Sequence, residues 1–335
     1  MKVDAIFRTG DIASTIADVR RLERLPVDGL FCAETAHDPF IGATLAVEHS
    51  THAEVGTAIA VAFARNPMTV AMAAHDLQRF SNGRFILGLG SQIKPHIEKR
   101  FSMPWSHPAP RMHEFIAAMR AIWRSWNDGE RLAFRGDYYQ HTLMTPFFAP
   151  PASEHGAPKV FLAAVGEHMS LVAGQVADGL FVHGFSTQPY LRDVTWPAVE
   201  RGLVEGGRGR EDFEMTGLVF VVTGSDEQSI AKADQLTRKQ IAFYGSTPSY
   251  LPVLAHHGWG DVQRELNVLS KRGEWDAMGA LITDEMLDTF AVRGAPDTVG
   301  RAVRDRYDGL LARCQAYMPY DVSDELHGQV VASFR

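Results

Sequence analysis

The sequence predicts an α/β protein built as a (β/α)8 TIM barrel with insertions. Three observations predict it. Short apolar runs alternate with longer amphipathic stretches along the chain, which is the pattern of βα units around a parallel sheet. Eight such runs can be found. The 335 residues hold neither a low-complexity linker nor a solenoid repeat, and α/β barrels occupy this length as one unit. The reading is therefore one domain over residues 1–335, with an excursion at about 225–308.

The first strand is read at Val3–Phe7, and a helix follows from Ile12 to about Leu25 with Asp11 placed to cap it. The second strand is Gly29–Ala33. The third is Val55–Val61, with Pro67 opening the next helix, where a missing N–H costs little. The fourth, Arg84–Leu89, follows the turn Ser81-Asn82-Gly83. Met112, Phe115, Ile116, Met119, Ile122, Trp123 and Trp126 then recur at steps of three and four, which makes one broad apolar helix face. Phe134, Gly136, Tyr138 and Tyr139 break that rhythm as a short hairpin or inserted loop. The fifth strand is Val160–Ala164 and the sixth is Gly179–Val182, with a helix near Glu167–Val176 between them. The seventh is Thr216–Val222 and the last is Leu310–Tyr317; the stretch between these two is polar, helical and Trp-containing.

Composition excludes several function classes. With 45% hydrophobic and 22% charged residues the chain is ordinary globular protein with enough apolar mass for a large core. Cys32 and Cys314 are far apart and form no CxxC pair, so neither a disulfide framework nor a zinc site is expected, and a reducing, cytoplasmic compartment fits. The start MKVDAIFRTG is too short and too quickly polar for a signal peptide, and no run approaches a membrane span. At a net charge of −7, nucleic acid is a poor partner. HExxH, GxSxG and GxxxxGK[ST] are absent, and His49, His52, His256 and His257 are read as surface or core histidines rather than metal ligands.

A barrel carries its active site at the carboxyl ends of its strands. That rule selects Glu34-Thr35-Ala36-His37-Asp38-Pro39-Phe40, Ala62–Pro67, Gly88-Leu89-Gly90-Ser91-Gln92, Ala163-Ala164-Val165-Gly166 and His183-Gly184-Phe185-Ser186. Gly88–Ser91 is either a backbone cradle for a phosphate or a tight βα turn; Ile93 stands where a dinucleotide fingerprint would need its third glycine. Downstream, Lys94, His96, Lys99, Arg100, His107 and Arg111 crowd one stretch with Glu98 as the only acid, either as a seat for an anionic tail or as a solvated surface. Glu34, His37 and Asp38 share one strand end and could supply a general acid or base.

These segments resemble the luciferase-like family. The resemblance is carried by Asp28-Gly29-Leu30-Phe31 with the Glu34–Phe40 loop, then Gly56-Thr57-Ala58-Ile59, Asn66-Pro67, and Gly83 through Gly90. Ala163–Gly166 and Ala177-Asp178-Gly179 extend it to about residue 190. It is closest to the coenzyme F420-dependent branch. The resemblance implies a barrel that holds a tricyclic ring at its strand ends, with a non-proline cis peptide at Ala58–Ile59 pressing on one ring face. It implies that Gly88, Gly90, Ser91 and Gln92, with Val165 and Gly166, lie along the cofactor tail and its phosphate, and that Glu34 sits near the ring. Dehydrogenases of the branch place His directly after that acid. Here Thr35 stands there and His37 comes two positions later, a departure that leaves the family's proton donor unassigned; Glu34 and His37, from the strand-end cluster, are the catalytic candidates. A homodimer acting on a small molecule is usual in the family.

The expected activity is hydride transfer between coenzyme F420 and a small organic substrate, in one version an alcohol and its ketone. The alternatives are an FMN-dependent monooxygenase on the same barrel and a non-catalytic flavin-binding relative. The loop around Phe40, the hairpin near Tyr138 and the excursion around Tyr244 and Trp259 are expected to shape the substrate site.

Overall fold

Eight parallel strands close on one another in the computed structural model, which describes residues 1–335. They are Lys2–Ile6, Gly29–Cys32, Glu54–Thr57, Phe85–Gly90, Lys159–Ala164, Gly179–Val182, Glu214–Val222 and Arg313–Tyr317. Each pairs with the next in sequence, and the eighth returns to the first through Lys2↔Arg313 and Val3↔Cys314. Helices cover the outside, and the principal core lies between them and the sheet. The fold is a (β/α)8 barrel, as the alternation of apolar runs predicts. No helix is long and apolar enough to cross a membrane.

Local chemistry explains the helix starts. The Asp11 carboxylate accepts from Ser14 N at 2.9 Å, and Asn66 caps Pro67–Phe80 by accepting from Thr69 N at 3.1 Å. The apolar face read from Met112 to Trp126 belongs to the 20-residue helix Pro108–Asn127 and is buried throughout. The hairpin is Phe134–Arg135 paired with Gln140–His141. Its turn is held by the Glu114 carboxylate, which accepts from the N–H groups of Asp137, Tyr138 and Tyr139.

The third strand departs from the sequence reading. Instead of running unbroken to Val61, it stops at Thr57 and resumes as Ala60–Val61. Between the pairs Gly56↔Ile86 and Ala60↔Leu89, four steps on this strand oppose three on the fourth. One residue is therefore extra, which defines a bulge, and the Ala58–Ile59 peptide within it is cis.

The excursion after the seventh strand is a set of helices, Glu227–Gly245, Leu251–His256, Gly260–Arg272, Trp275–Ala280 and Asp284–Phe290. A short strand that the sequence reading missed, Ala291–Arg293, then pairs with Phe220–Val222. These helices pack Ile241, Leu254, Leu266, Met286 and Phe290 against Phe185 and Phe220 of the barrel, so their core is continuous with its rim.

The barrel interior is layered. At the amino end Arg313, with no exposed surface, donates to both Asp4 oxygens at 2.8 and 2.6 Å and to Glu54 at 2.8 Å. Above this charged layer lie Ile6, Phe31, Ile86, Phe161 and Phe181, which form an apolar plug. Above the plug the inward residues of the third, fourth and fifth strands, Ala58, Gly90 and Ala163, are small. At Gly88 a Cβ would stand 1.8 Å from Thr57 O, so only glycine lets the strand pass there. Small side chains at one end of a plugged barrel leave a hollow at the carboxyl rim.

Candidate active site

That hollow is a cavity of about 440 Å³, a size that suits a small-molecule ligand. Its floor is Ile6, Phe31 and Phe181 with Asp4 and Thr216 beneath. One side is the bulge, Ala58–Ile59, and the next is Gly90-Ser91-Gln92; the turn Ala163-Ala164-Val165 follows. The far side is His183, Gly184, Leu218, Gln315 and Tyr250. The rim is built by local conformation. Gln92 has φ of 60°, which turns the chain out of the fourth strand. Gly90 lies against Ile59, where a Cβ would approach the side chain to 2.7 Å.

Of the residues expected from sequence, Ala58, Ile59, Gly90, Ser91, Gln92 and Val165 meet around this cavity. Gly88 lies lower, packed on Thr57 and Phe181. Gly166 is one residue past Val165, exposed, and is the N-cap of the helix Glu167–Val176. The two catalytic candidates are not among the lining residues. His37 is exposed on its loop. The Glu34 side chain is only 5% exposed and is committed elsewhere: one oxygen accepts from Arg65 Nη1 at 2.6 Å and from Val61 N at 2.7 Å. Arg65 also donates to Asp38 at 2.7 Å, while Glu34 N donates to Ile59 O at 3.1 Å and Ala58 N to Cys32 O at 2.7 Å. Glu34 thus ties the second strand to both sides of the bulge.

The basic stretch divides. Arg111 turns inward, donating to Tyr139 Oη at 2.9 Å and Pro104 O at 2.7 Å with its guanidinium over Phe63. Arg100 donates to Thr35 O, while Lys94, His96 and Lys99 stay exposed just beyond Gln92. His49 and His52 turn to separate partners, Arg20 and Glu23.

Sequence reasoning had placed His183 on a rim segment but assigned it nothing. Its ring stacks on Tyr250 at 4.9 Å between centroids and meets Tyr244 edge-on at 4.7 Å. Its Nδ1 accepts from Phe185 N at 3.0 Å, so the ring proton of the neutral form belongs on Nε2. Burial lowers its pKa from 6.5 to about 4. Tyr250 is raised by burial and by Tyr244, and Tyr317, whose hydroxyl lies 3.3 Å from that of Tyr244, is raised too. The available signal for His183 was the alternation Gly179, Phe181, His183, which points all three inward. Tyr250 had no such signal, because it arrives on the short 3-10 turn Pro248–Tyr250 of the excursion.

A stability prediction follows. Native His183 stays neutral while the unfolded chain takes up its proton near pH 6.5, so the unfolded state binds more protons as pH falls. The residue's contribution is complete above pH 6.5 and declines toward pH 4, by up to about 3 kcal/mol. Urea unfolding of wild type and His183→Phe at pH 7 and pH 4.5 measures it: the variant should lose less stability on acidification.

The closed barrel with a bulged third strand and a cavity on its carboxyl rim defines the class as a (β/α)8 barrel with a rim cavity. Within it, the luciferase-like monooxygenase family model matches residues 4–314, and the chain belongs to that family. It is 56% identical to an uncharacterised protein of Mycobacterium tuberculosis over 87% of this chain and 86% of that one. It is 27% identical to 5,10-methylenetetrahydromethanopterin reductase of Archaeoglobus fulgidus over 70% of this chain and 67% of the relative. Among solved structures it superposes on the coenzyme F420-dependent tetrahydromethanopterin reductase of Methanopyrus kandleri with a TM-score of 0.79 at 18% identity, covering 98% and 96% of the two chains. It also superposes on the FMN complex of the oxygenating constituent of 3,6-diketocamphane monooxygenase of Pseudomonas putida, with a TM-score of 0.69 at 16% identity, covering 99% and 97%.

Proposed function

We propose that this protein is a coenzyme F420-dependent oxidoreductase that exchanges a hydride with a small organic carbonyl or alcohol at the barrel rim. The observation that carries the reading is the cavity itself, bounded on one side by the Ala58–Ile59 bulge and on the next by Gly90-Ser91-Gln92, with exposed Lys94, His96 and Lys99 following in the chain.

The residues present fit a flat ring with an anionic tail. The cavity is largely apolar, and Ala58, Gly90 and Ala163 leave room for a planar group. An anionic tail would find two polar supports: backbone N–H groups at the start of Glu167–Val176, and Lys94 and Lys99 beyond Gln92. Ala58, Ile59, Gly90, Ser91, Gln92, Val165 and Gly166 would hold the cofactor, which when bound supplies the hydride chemistry. Gly88 serves from below by letting the fourth strand close against Thr57. Glu34 acts as a positioning residue: through Arg65 and Val61 N it fixes the bulge that would form one wall for the cofactor. The remaining walls, from the sixth, seventh and eighth strands and from Tyr250, are left for substrate.

F420-dependent enzymes among the relatives support this choice, including the glucose-6-phosphate dehydrogenase of Intrasporangium calvum. The alternative is an FMN-dependent monooxygenase, which the P. putida neighbour favours because its FMN is carried on the same barrel.

Anaerobic titration with oxidised F420 and with FMN, followed by quenching of cofactor fluorescence, separates the two. F420 should bind with FMN failing to compete, and Gly90→Val, whose side chain would collide with Ile59 and displace the bulge wall, should weaken F420 by about tenfold or more. Tight FMN binding without F420 binding would overturn the proposal.

A further inference from the structure

The side of the cavity opposite the bulge holds few groups able to act on a substrate. Its titratable lining residues are Asp4, His183 and Tyr250. Asp4 lies at the floor with both oxygens occupied by Arg313. Tyr250 offers its ring face to His183. His183 remains, and its geometry is specific. Phe185 N fills Nδ1, Tyr250 and Tyr244 clamp the ring from its face and edge, and Nε2 makes no hydrogen bond within the protein.

Register places this nitrogen among inward-pointing neighbours. Val182 pairs with Gly217 and Leu218 pairs with Gln315. His183, one residue beyond Val182, is therefore level with Leu218, so His183 and Gln315 flank Leu218 from the two adjoining strands. A fixed N–H beside a primary amide, in an otherwise apolar and aromatic recess, matches an uncharged oxygen acceptor joined to a planar apolar body. A carboxylate or phosphate would find no cation on this side, since the arginine of the floor is already held by Asp4 and Glu54.

We propose that His183 is the substrate-binding donor of this site, giving the Nε2–H hydrogen bond to the carbonyl oxygen of an aromatic or unsaturated ketone or aldehyde seated between Tyr250, Leu218 and Gln315. The proposal rests on the oxidoreductase reading for the position of the hydride carrier, and it assigns His183 a hydrogen bond rather than a proton transfer. A neutral ring with a fixed tautomer suits that role, because a donor already aligned loses little on binding.

The test uses the full-length protein and dimethylaminocinnamaldehyde, whose long-wavelength absorption band moves to the red when its carbonyl accepts a hydrogen bond in an apolar site. Wild type should bind the aldehyde with a red-shifted band. His183→Phe keeps the aromatic stack but removes the donor. It should lose the shift and bind about three- to tenfold more weakly. His183→Gln should retain most of the shift, and Tyr250→Phe all of it. Nitrogen-15 labelling of histidine adds a readout in unmutated protein: the His183 signals should report the Nε2–H form, and the Nε2 proton should move downfield on adding the aldehyde. An unshifted band in wild type, an equal shift in His183→Phe, or a shift abolished by Tyr250→Phe would each overturn the proposal. F420 titration of the same samples keeps the two readings apart. Absence of F420 binding in wild type defeats the oxidoreductase reading, whereas normal F420 binding with an aldehyde response indifferent to residue 183 defeats this one.

Discussion

Arg313→Leu is expected to lower the free energy of unfolding by about 3–5 kcal/mol, the largest effect of any single change considered. The guanidinium has no exposed surface and bridges Asp4, Glu54 and Glu214 across the barrel's amino end. Removing it leaves the Asp4 carboxylate buried without its partner. Burial already raises the Asp4 pKa even with Arg313 in place, so the variant should take up a proton at that carboxyl and unfold more readily as pH rises. Urea denaturation at pH 5 and pH 8 measures both parts. The double variant Asp4→Leu/Arg313→Leu should recover much of the loss, because two apolar groups carry no unpaired charge. Equal stability of Arg313→Leu and wild type would show that the charged layer is dispensable.

Arg65→Ala is expected to cost about 2–4 kcal/mol and to weaken cofactor binding as well. Its target is Glu34, which is nearly buried and accepts from Arg65 and Val61 N. Without Arg65 the carboxylate loses its only cation, and the bulge loses the tie that runs from the second strand across Ala58–Ile59. Urea unfolding reads the first effect. An F420 titration, in conditions where the variant remains folded, reads the second. Glu34→Gln is the diagnostic partner, since it keeps an acceptor for Val61 N while removing the charge. If Glu34 acts by position, Glu34→Gln should keep cofactor affinity near that of wild type, and Arg65→Ala should not. A variant pair with identical affinity would remove the positioning role.

The barrel was legible in the sequence because its signal is local. Alternating apolar runs and amphipathic stretches fix eight strands and the helices between them, and Pro67, Asp11 and the Met112–Trp126 face mark individual elements without reference to the rest of the chain. Half of the rim was legible for a different reason. Ala58–Ile59 and Gly90–Gln92 sit in ordered segments whose resemblance to a family supplied the arrangement. The wall opposite the bulge was not legible. His183 stood at the end of a recognised strand, yet its setting depends on Tyr250 and Tyr244, which come from the excursion. Glu34 was legible as a strand-end acid but not as a committed one, because Arg65 lies 31 residues away and nothing in their spacing announces the bond. The strand Ala291–Arg293 escaped as well, being three residues long and defined only by its pairing with Phe220–Val222.

The ion pair between Asp4 and Arg313 joins residues 309 positions apart. Seven strands can emerge during synthesis and still leave a gap where the eighth belongs, with the first strand's edge unpaired and Asp4 without its counter-ion. The later arrival of Arg313 then both fills the gap and neutralises the acid, so ring closure and charge compensation become a single event. Nascent chains stalled ahead of this residue should be the aggregation-prone and chaperone-dependent species of this protein.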